Sequence, residues 1–529
     1  MRHLAFFFSA SSCLGAVALA ACSPSPVSPV DDASVETDAG LDGGPPDARP
    51  PRRDAALVDA GTWSWSEWPA CDPSATSQRL TFVHVNDLHA HYGLDAQGIS
   101  PWARVRHFYE RTRLESPYTI FTDGGDDHEK GSVAELLSEG RSTVELTRAM
   151  EFDVRVLGNH DFAWSLDELL DHANDPHAIV LSANHHLASG DPSRWHAEEA
   201  RVLTIGCVRV GFVGLTSTPW DERDRTIDEP FYPELTADYD YAAEAQRVID
   251  AHAGEADVWV MLDHIGQSQD EALAAAVPDV AVVLSGHSHT YTPAPVSSGH
   301  AVVIQSGSEA QFVVRLDVDV DLTTHAVTVA DYATQVVGVE PPSPRMQAAV
   351  AQALATYAPE ASRELGRISR SLDGARIADV AAQAALAVHH ADAALVDTDT
   401  VWTSWQAGRV TQQSFADAFR VERERPGSPG FSSFYRVQVS GAVLAELAAM
   451  HGARFRYAGI ATPSPSSTYT LVVQKRGAFH PDEQFGDTLS FASPPEPLEE
   501  VWETLDTHAR ARTAACRMLD TDTPLPSCP

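Results

Sequence analysis

The chain has 529 residues, 43% of them hydrophobic, which is enough for more than one buried core, and its formal net charge is -37. Negative charge on that scale does not draw anionic nucleic acid to a surface, so a nucleic acid polymer is excluded as partner. Any phosphate specificity must come locally, from metals or an Arg. Beyond the first residues there is no run of about 20 apolar residues, so no later segment reads as a membrane span.

Residues 1–22 read as an export signal: a basic Arg2, an apolar stretch, then Leu19-Ala20-Ala21-Cys22. Small residues before a Cys resemble the bacterial lipobox, which implies cleavage and a lipid on Cys22. Ser23 rather than Asp after it leans towards the outer membrane, at its periplasmic face or on the cell surface. Residues 23–75 form a tether. Up to about residue 61 they are Pro, Asp, Ala, Gly and Ser, too polar to fill a core, with local stiffening at Pro45-Pro46 and Pro50-Pro51. Trp63, Trp65 and Trp68 read as a strap packed on the first domain, with a carbohydrate or membrane patch as the alternative.

Residues 76–337 form that first domain. Strands are expected at 80–85, 118–121, 154–157, 179–181, 208–213, 258–262, 280–284 and 301–304, with helices at 132–150 and 241–252. Apolar strands alternating with helices predict a sheet covered on both faces. Five of the strands end in residues that carry chemistry: Asp87-Leu88-His89, Gly125-Asp126, Gly158-Asn159-His160-Asp161, His264, and Gly286-His287-Ser288-His289. Loops at the carboxyl ends of such strands line the ligand crevice. Mixed imidazole and oxygen donors suit divalent Zn, Mn or Fe. Two such ions would clamp a phosphoryl group and deprotonate a bridging water.

This ordered set resembles the calcineurin-like metallophosphoesterases. Val85-Asn86-Asp87-Leu88-His89 and Gly158-Asn159-His160-Asp161-Phe162 resemble their 5′-nucleotidase branch. Leu181-Ser182-Ala183-Asn184 and Gln305-Ser306-Gly307 match in position and character. The resemblance implies an α/β fold, a four-layer αββα sandwich followed by a smaller α+β C-terminal domain. It implies two divalent ions (Zn, Mn, Fe, Co or Mg), with Asp87, His89 and His289 on the first, Asp126 bridging, and Asn159, His264 and His287 on the second. A bridging hydroxide would attack phosphorus, and His160, not a ligand, would assist as acid or hydrogen-bond donor. In many relatives an Asp three residues past this His pairs with it, and Asn occurs there in cyclic-nucleotide phosphodiesterases. Here the position is Ala163, so weakened catalysis is expected, with His160 oriented by Asp161, another carboxylate or backbone. Asp123, Asp127, His128 and Asp263 are expected in solvated loops, and His84 as a satisfied structural histidine.

Pro341-Pro342-Ser343-Pro344 marks a boundary. Residues 338–366 read as a linker helix, helical over 345–365, and 367–529 as a divergent 5′-nucleotidase-like C-terminal domain. Ala407-Gly408-Arg409-Val410-Thr411 with 415–419, and Val437-Gln438-Val439-Ser440-Gly441, resemble that domain. Two features depart from it: Trp402 stands where the family has a substrate-gripping Arg, and a charged insert fills 421–430. Phe431, Phe434, Phe455 and Tyr457 are aromatics able to stack a base, with core packing the preferred reading for each, so substrate-binding residues stay unassigned. Of the cysteines beyond Cys22, Cys71, Cys207, Cys516 and Cys528 allow three pairings. Cys516–Cys528, closing a short loop, is the favoured one. The leading expectation is an exported, lipid-anchored phosphoesterase acting on nucleotides or related esters. A 2′,3′-cyclic-nucleotide phosphodiesterase, or a surface protein that binds metal or ligand without turnover, is the alternative.

Overall fold

The computed structural model describes residues 68–526, except 96, 220–225, 424–427, 453 and 487–488. The signal, Cys22, Trp63, Trp65 and Cys528 lie outside the described residues.

Two six-stranded sheets face each other. The first runs, edge to edge, Val327–Val336, Phe312–Asp321, Ser77–Val85, Thr119–Asp123, Val154–Val156 and Ile179–Leu181. Its last four strands are parallel, and its first two pair antiparallel. The second runs Val296–Ser298, Ala301–Gln305, Val280–Ser285, Val258–His264, Val208–Thr216 and Ala200–Ile205, with its four central strands parallel. Alternation along the strands sorts side chains to two faces. Leu80, Phe82, Ile120, Val154 and Val156 pack inward against Val210, Phe212, Val260, Leu262 and Leu284 of the other sheet. Phe82 and Phe212 meet edge to face at 6.5 Å. Each such buried side chain contributes roughly 1.5–3 kcal/mol.

The outer faces are covered by helices. Val83, Val85 and Phe121 share a core with Pro101–Glu115, Arg141–Met150 and Pro344–Tyr357. Val213, Met261 and Val283 pack with Tyr241–Ala251 and Gln267–Ala276. The result is the four-layer αββα sandwich.

Two expectations change. The helix expected over 132–150 is two helices, Val133–Ser138 and Arg141–Met150, broken where Glu139 and Gly140 both have positive φ. The helix expected over 345–365 stops at Tyr357. Glu364–Ile368 is a strand, because it finds an antiparallel partner in Gly408–Thr411. Cys71 pairs with Cys207, across 136 residues, the partnership that a Cys516–Cys528 loop leaves for these two. Cys516 is also disulfide-bonded. Trp68 does strap the first domain, its Nε1 donating to the Thr119 carbonyl at 2.9 Å.

The C-terminal part holds a five-stranded sheet, ordered Phe455–Gly459, Ala393–Asp397, Thr468–Gln474, Phe434–Ser440 and Glu496–Pro497. Helices Gly374–Val388 and Val501–Ala514 pack beside it. Ile377, Ala381, Phe415 and Leu505 belong to the same apolar cluster as Val83 and Phe121 of the first sheet. Gln413 adds polar contacts across this boundary, accepting from the Val133 N–H and donating to the Gly131 carbonyl, both at 3.0 Å.

Candidate metal centre

The parallel strands of both sheets release their loops at one edge, and the seven residues expected as ligands gather there. Asp87, His89 and His289 place one donor atom each within 4.8 Å of one another, and so do Asp126, His264 and His287. The Asn159 Oδ1 lies 2.8 Å from His287 Nδ1 and accepts from Ser217 Oγ at 3.0 Å. Asp126 Oδ2 stands between the sets, 2.9 Å from His264 Nε2 and 3.8 Å from His89 Nε2.

Local chain geometry makes this possible. Asp87, His89, Asp126, His287 and His289, five of the seven, have positive φ between 45 and 78°. Non-glycine residues enter that region at a cost, and such strain concentrates at functional sites. Gly158 permits the closest approach: a Cβ there would sit 2.2 Å from Asp126 Oδ1 and 2.3 Å from Asp126 N.

Hydrogen bonds fix the rings. His89 Nδ1 donates to the His128 carbonyl at 2.9 Å, and His264 Nδ1 to the Gly124 carbonyl at 2.6 Å. Each bond leaves Nε2 facing the centre, as outer partners of metal-binding imidazoles do. Asp87 Oδ2 accepts from Asn86 Nδ2 and the His287 N–H, leaving Oδ1 turned inward. That buried Oδ1 has no hydrogen bond and faces three imidazole Nε2 atoms, of His289 (3.2 Å), His89 (3.7 Å) and His264 (3.9 Å). A donor set of this kind, with a buried oxygen aimed into it, fits divalent cations. The His289 side chain is 35% exposed while Asp87 and His89 are fully buried, so the centre opens on that side. Burial disfavours a charged His264, but the nearby Asp126 and Asp87 carboxylates outweigh it and push the imidazole up to about 10.

Several neighbours differ from expectation. Asp123, Asp127, His128 and Asp263 are buried, not solvated. For Asp123 and Asp127 the reason is Arg155, inside the strand Val154–Val156, whose guanidinium binds both, binds Asp175 as well, and lies 2.7 Å from His172 Nε2. His128, Asp161 and His172 also place donors within 4.8 Å of one another, but Asp161 is already engaged by His128 Nδ1 and backbone N–H groups, and His172 Nε2 faces the Arg155 guanidinium. Burial opposes a charged His128, yet the Asp161 ion pair wins and pushes it up to about 9. Burial also pushes Asp263 up to about 7. His84 is the satisfied histidine expected, bonded to Thr122 Oγ1 and the Ser285 carbonyl.

Asp161 does not orient His160. It accepts from the backbone N–H groups of Gly158, Asp126, Asp127 and His128, pinning the loop that carries Asp126. His160 Nδ1 instead meets Glu129 Oε2 at 2.6 Å, so the position of Ala163 leaves no gap in the partnership. Neither Glu129 nor Lys130 was expected at the site from sequence; Lys130 Nζ is 3.3 Å from His89 Nε2 and 5.9 Å from the Trp402 ring centre. An Arg within an otherwise apolar strand was the available signal for the buried acids; nothing local marks Glu129.

Arg420 also meets Trp402, its Cζ 5.8 Å from that ring centre and 4.1 Å from that of Phe431. There a cavity of about 260 Å³ opens in the C-terminal part, lined by Phe431, Phe455, Phe485, Arg454 and Asp397 among others. Phe431 and Phe455 thus line a cavity besides packing, whereas Phe434 is fully buried, as expected.

The calcineurin-like phosphoesterase family matches residues 80–291. The snake venom 5′-nucleotidase of Crotalus adamanteus is 28% identical over 253 residues, 43% of this chain and 40% of that protein. The chain thus spans about two fifths of the length of the curated relatives it matches. Among solved structures, a 5′-nucleotidase precursor from Thermus thermophilus superposes with a TM-score of 0.61 at 18% identity, over 82% of this chain and 96% of that one. A sulfate thiohydrolase from the same organism superposes at 0.57 and 17% identity, over 82% and 94%. Both likenesses establish the fold. The chain therefore carries a calcineurin-like phosphoesterase domain, with 5′-nucleotidases among its homologues.

Proposed function

We propose that the chain is an exported, lipid-anchored dinuclear phosphoesterase that hydrolyses a nucleotide or a related phosphate ester. The observation that carries this reading is the meeting of two donor sets, Asp87/His89/His289 and Asp126/His264/His287, across the single Asp126 carboxylate. Asp87, His89 and His289 would hold one divalent ion, and Asn159, His264 and His287 the other, with Asp126 shared. Two bound ions would supply Lewis acidity for the phosphoryl oxygens and a lowered pKa for the attacking water. His160, whose Nε2 lies 4.0 Å from Asp126 Oδ2, faces the same space and would donate to a phosphoryl or leaving-group oxygen. Burial, with Lys130 nearby, holds the His160 imidazolium down, so the protonated Nε2 that this role needs is the minor form of the free site.

A nucleotide is favoured because the named relatives are 5′-nucleotidases and because the aromatic, Arg-lined cavity lies just past Trp402. The test is a panel of nucleoside monophosphates, 2′,3′-cyclic nucleotides and an aryl phosphate, after chelation and after metal return. Monoester turnover restored with about two ions per chain is expected. Asp126→Ala should lose metal and activity together. A fully metal-loaded protein that hydrolyses none of the panel would favour a binding protein instead. The anchor has its own test: Cys22→Ser should release the protein from the membrane fraction, and unchanged fractionation would reject it.

A further inference from the structure

We propose that Glu129 is the positioning residue for His160, and that Arg423, delivered by the C-terminal part of the chain, keeps Glu129 in place. Turnover then depends on a contact between residues 294 apart in sequence. Glu129 is fully buried, and its φ of 67° turns the loop after Asp126 so that the carboxylate points at the His160 ring. Its own N–H donates to Glu135 Oε1 at 2.7 Å. The two carboxylate oxygens have separate tasks. Oε2 meets His160 Nδ1 at 2.6 Å, and Oε1 accepts the Arg423 backbone N–H at 2.8 Å, with Arg423 Nη1 3.7 Å away.

Arg423 is itself held by two further contacts. Its guanidinium lies 4.0 Å from the Trp164 ring centre, its Nη2 donates to Glu500 Oε1 at 3.2 Å, and its side chain is only 13% exposed. Trp164 in turn donates to the same Glu135 oxygen that holds the Glu129 N–H. A carboxylate that accepts from Nδ1 fixes the imidazole tautomer and ring plane, and so presents Nε2 to the centre. The insert that departs from the family pattern, 421–430, thus supplies the brace for the one residue the site needs oriented. Without it, Glu129 Oε1 would lose the Arg423 N–H that fixes which oxygen faces His160.

The kinetic half of this inference rests on the phosphoesterase reading; the spectroscopic half does not. In the full chain, kcat and KM for an aryl phosphate would be measured for wild type, Glu129→Ala, Arg423→Ala and the double variant. Glu129→Ala should lower kcat about 10–100-fold with KM little changed, and Arg423→Ala, which removes the guanidinium anchors but keeps the backbone N–H, less. The double variant should be no slower than Glu129→Ala, because Arg423 acts through Glu129. Proton NMR of the histidine ring N–H groups should show a downfield signal that His160→Ala and Glu129→Ala abolish. Arg423→Ala should make the same signal exchange faster with water. An unchanged kcat or an unchanged ring signal in Glu129→Ala would overturn the positioning role. A full Arg423→Ala loss persisting in the Glu129→Ala background would overturn the brace. If Glu129→Ala does not fold, Glu129→Gln, which keeps the volume, gives both readings with a smaller drop. Should wild type hydrolyse no ester, the functional reading falls and the ring signal alone decides this one.

Discussion

Gly158→Ala tests whether the centre is built on close backbone approach. The backbone at 158 is extended, with φ at -94°, so alanine meets no conformational penalty there. The penalty is steric. The new Cβ would stand 2.2 Å from Asp126 Oδ1 and 2.3 Å from Asp126 N, where ordinary contact begins at 3.4 Å. Relief therefore needs a movement of about 1 Å, either of Asp126 or of the Gly158 loop. Neither is free to yield, since Asp161 holds the N–H groups of both segments. A displacement of about 1 Å at a reacting centre costs on the order of 10²-fold in rate, and overpacking of this kind costs about 1–3 kcal/mol of stability. The assays are metal content by elemental analysis, kcat for an aryl phosphate, and thermal unfolding. Loss of metal and rate together is expected. A variant that keeps wild-type metal content and kcat would refute the premise that Asp126 must sit against Gly158.

Ala163→Asp should not raise kcat, because Glu129 already occupies His160 Nδ1 and a second buried carboxylate lacks a partner; a faster variant would show the site at Glu129 to be misassigned. Breaking the Cys71–Cys207 disulfide by Cys71→Ser should destabilise the chain by about 2–4 kcal/mol, read as a lower denaturant midpoint, since the bond joins residues 136 apart. An unchanged midpoint would mean the bond is not formed in the folded protein. His185 is buried and desolvation lowers it to about 3, so it stays neutral in the fold while the unfolded chain takes up a proton below about 6.5. Its contribution to stability is therefore present above that value and lost as pH falls towards 3, at up to about 1.4 kcal/mol per pH unit. His185→Gln should flatten the acid limb of the stability curve by about one proton, and identical slopes would contradict the assignment.

The candidate centre was legible because each donor follows a strand whose apolar run is visible in sequence, and parallel strands must end at one edge. Asp126 and His264 could be placed for that reason without knowing how the sheets meet. What escaped was set by tertiary contacts. Asp123 and Asp127 look like loop acids until the strand residue Arg155 is seen to reach them. Helical propensity at the end of 345–365 loses to the strand Glu364–Ile368, which pairs with Gly408–Thr411. Glu129 is the hardest case, since the Arg that braces it belongs to a segment whose sequence resembles nothing useful.

The apolar cluster joining Val83 and Phe121 to Ile377 and Leu505 bears on how the molecule comes apart. A fragment ending at the Pro-rich boundary would leave Met150, Val133 and their neighbours facing water with no helix to cover them. Such a fragment should collapse or self-associate rather than behave as a free-standing catalytic unit. Heating the intact chain should accordingly give one cooperative transition over both parts, with the calorimetric and van't Hoff enthalpies in agreement. The catalytic sheets and the C-terminal part would then share a common fate under proteolysis, surviving together or being lost together.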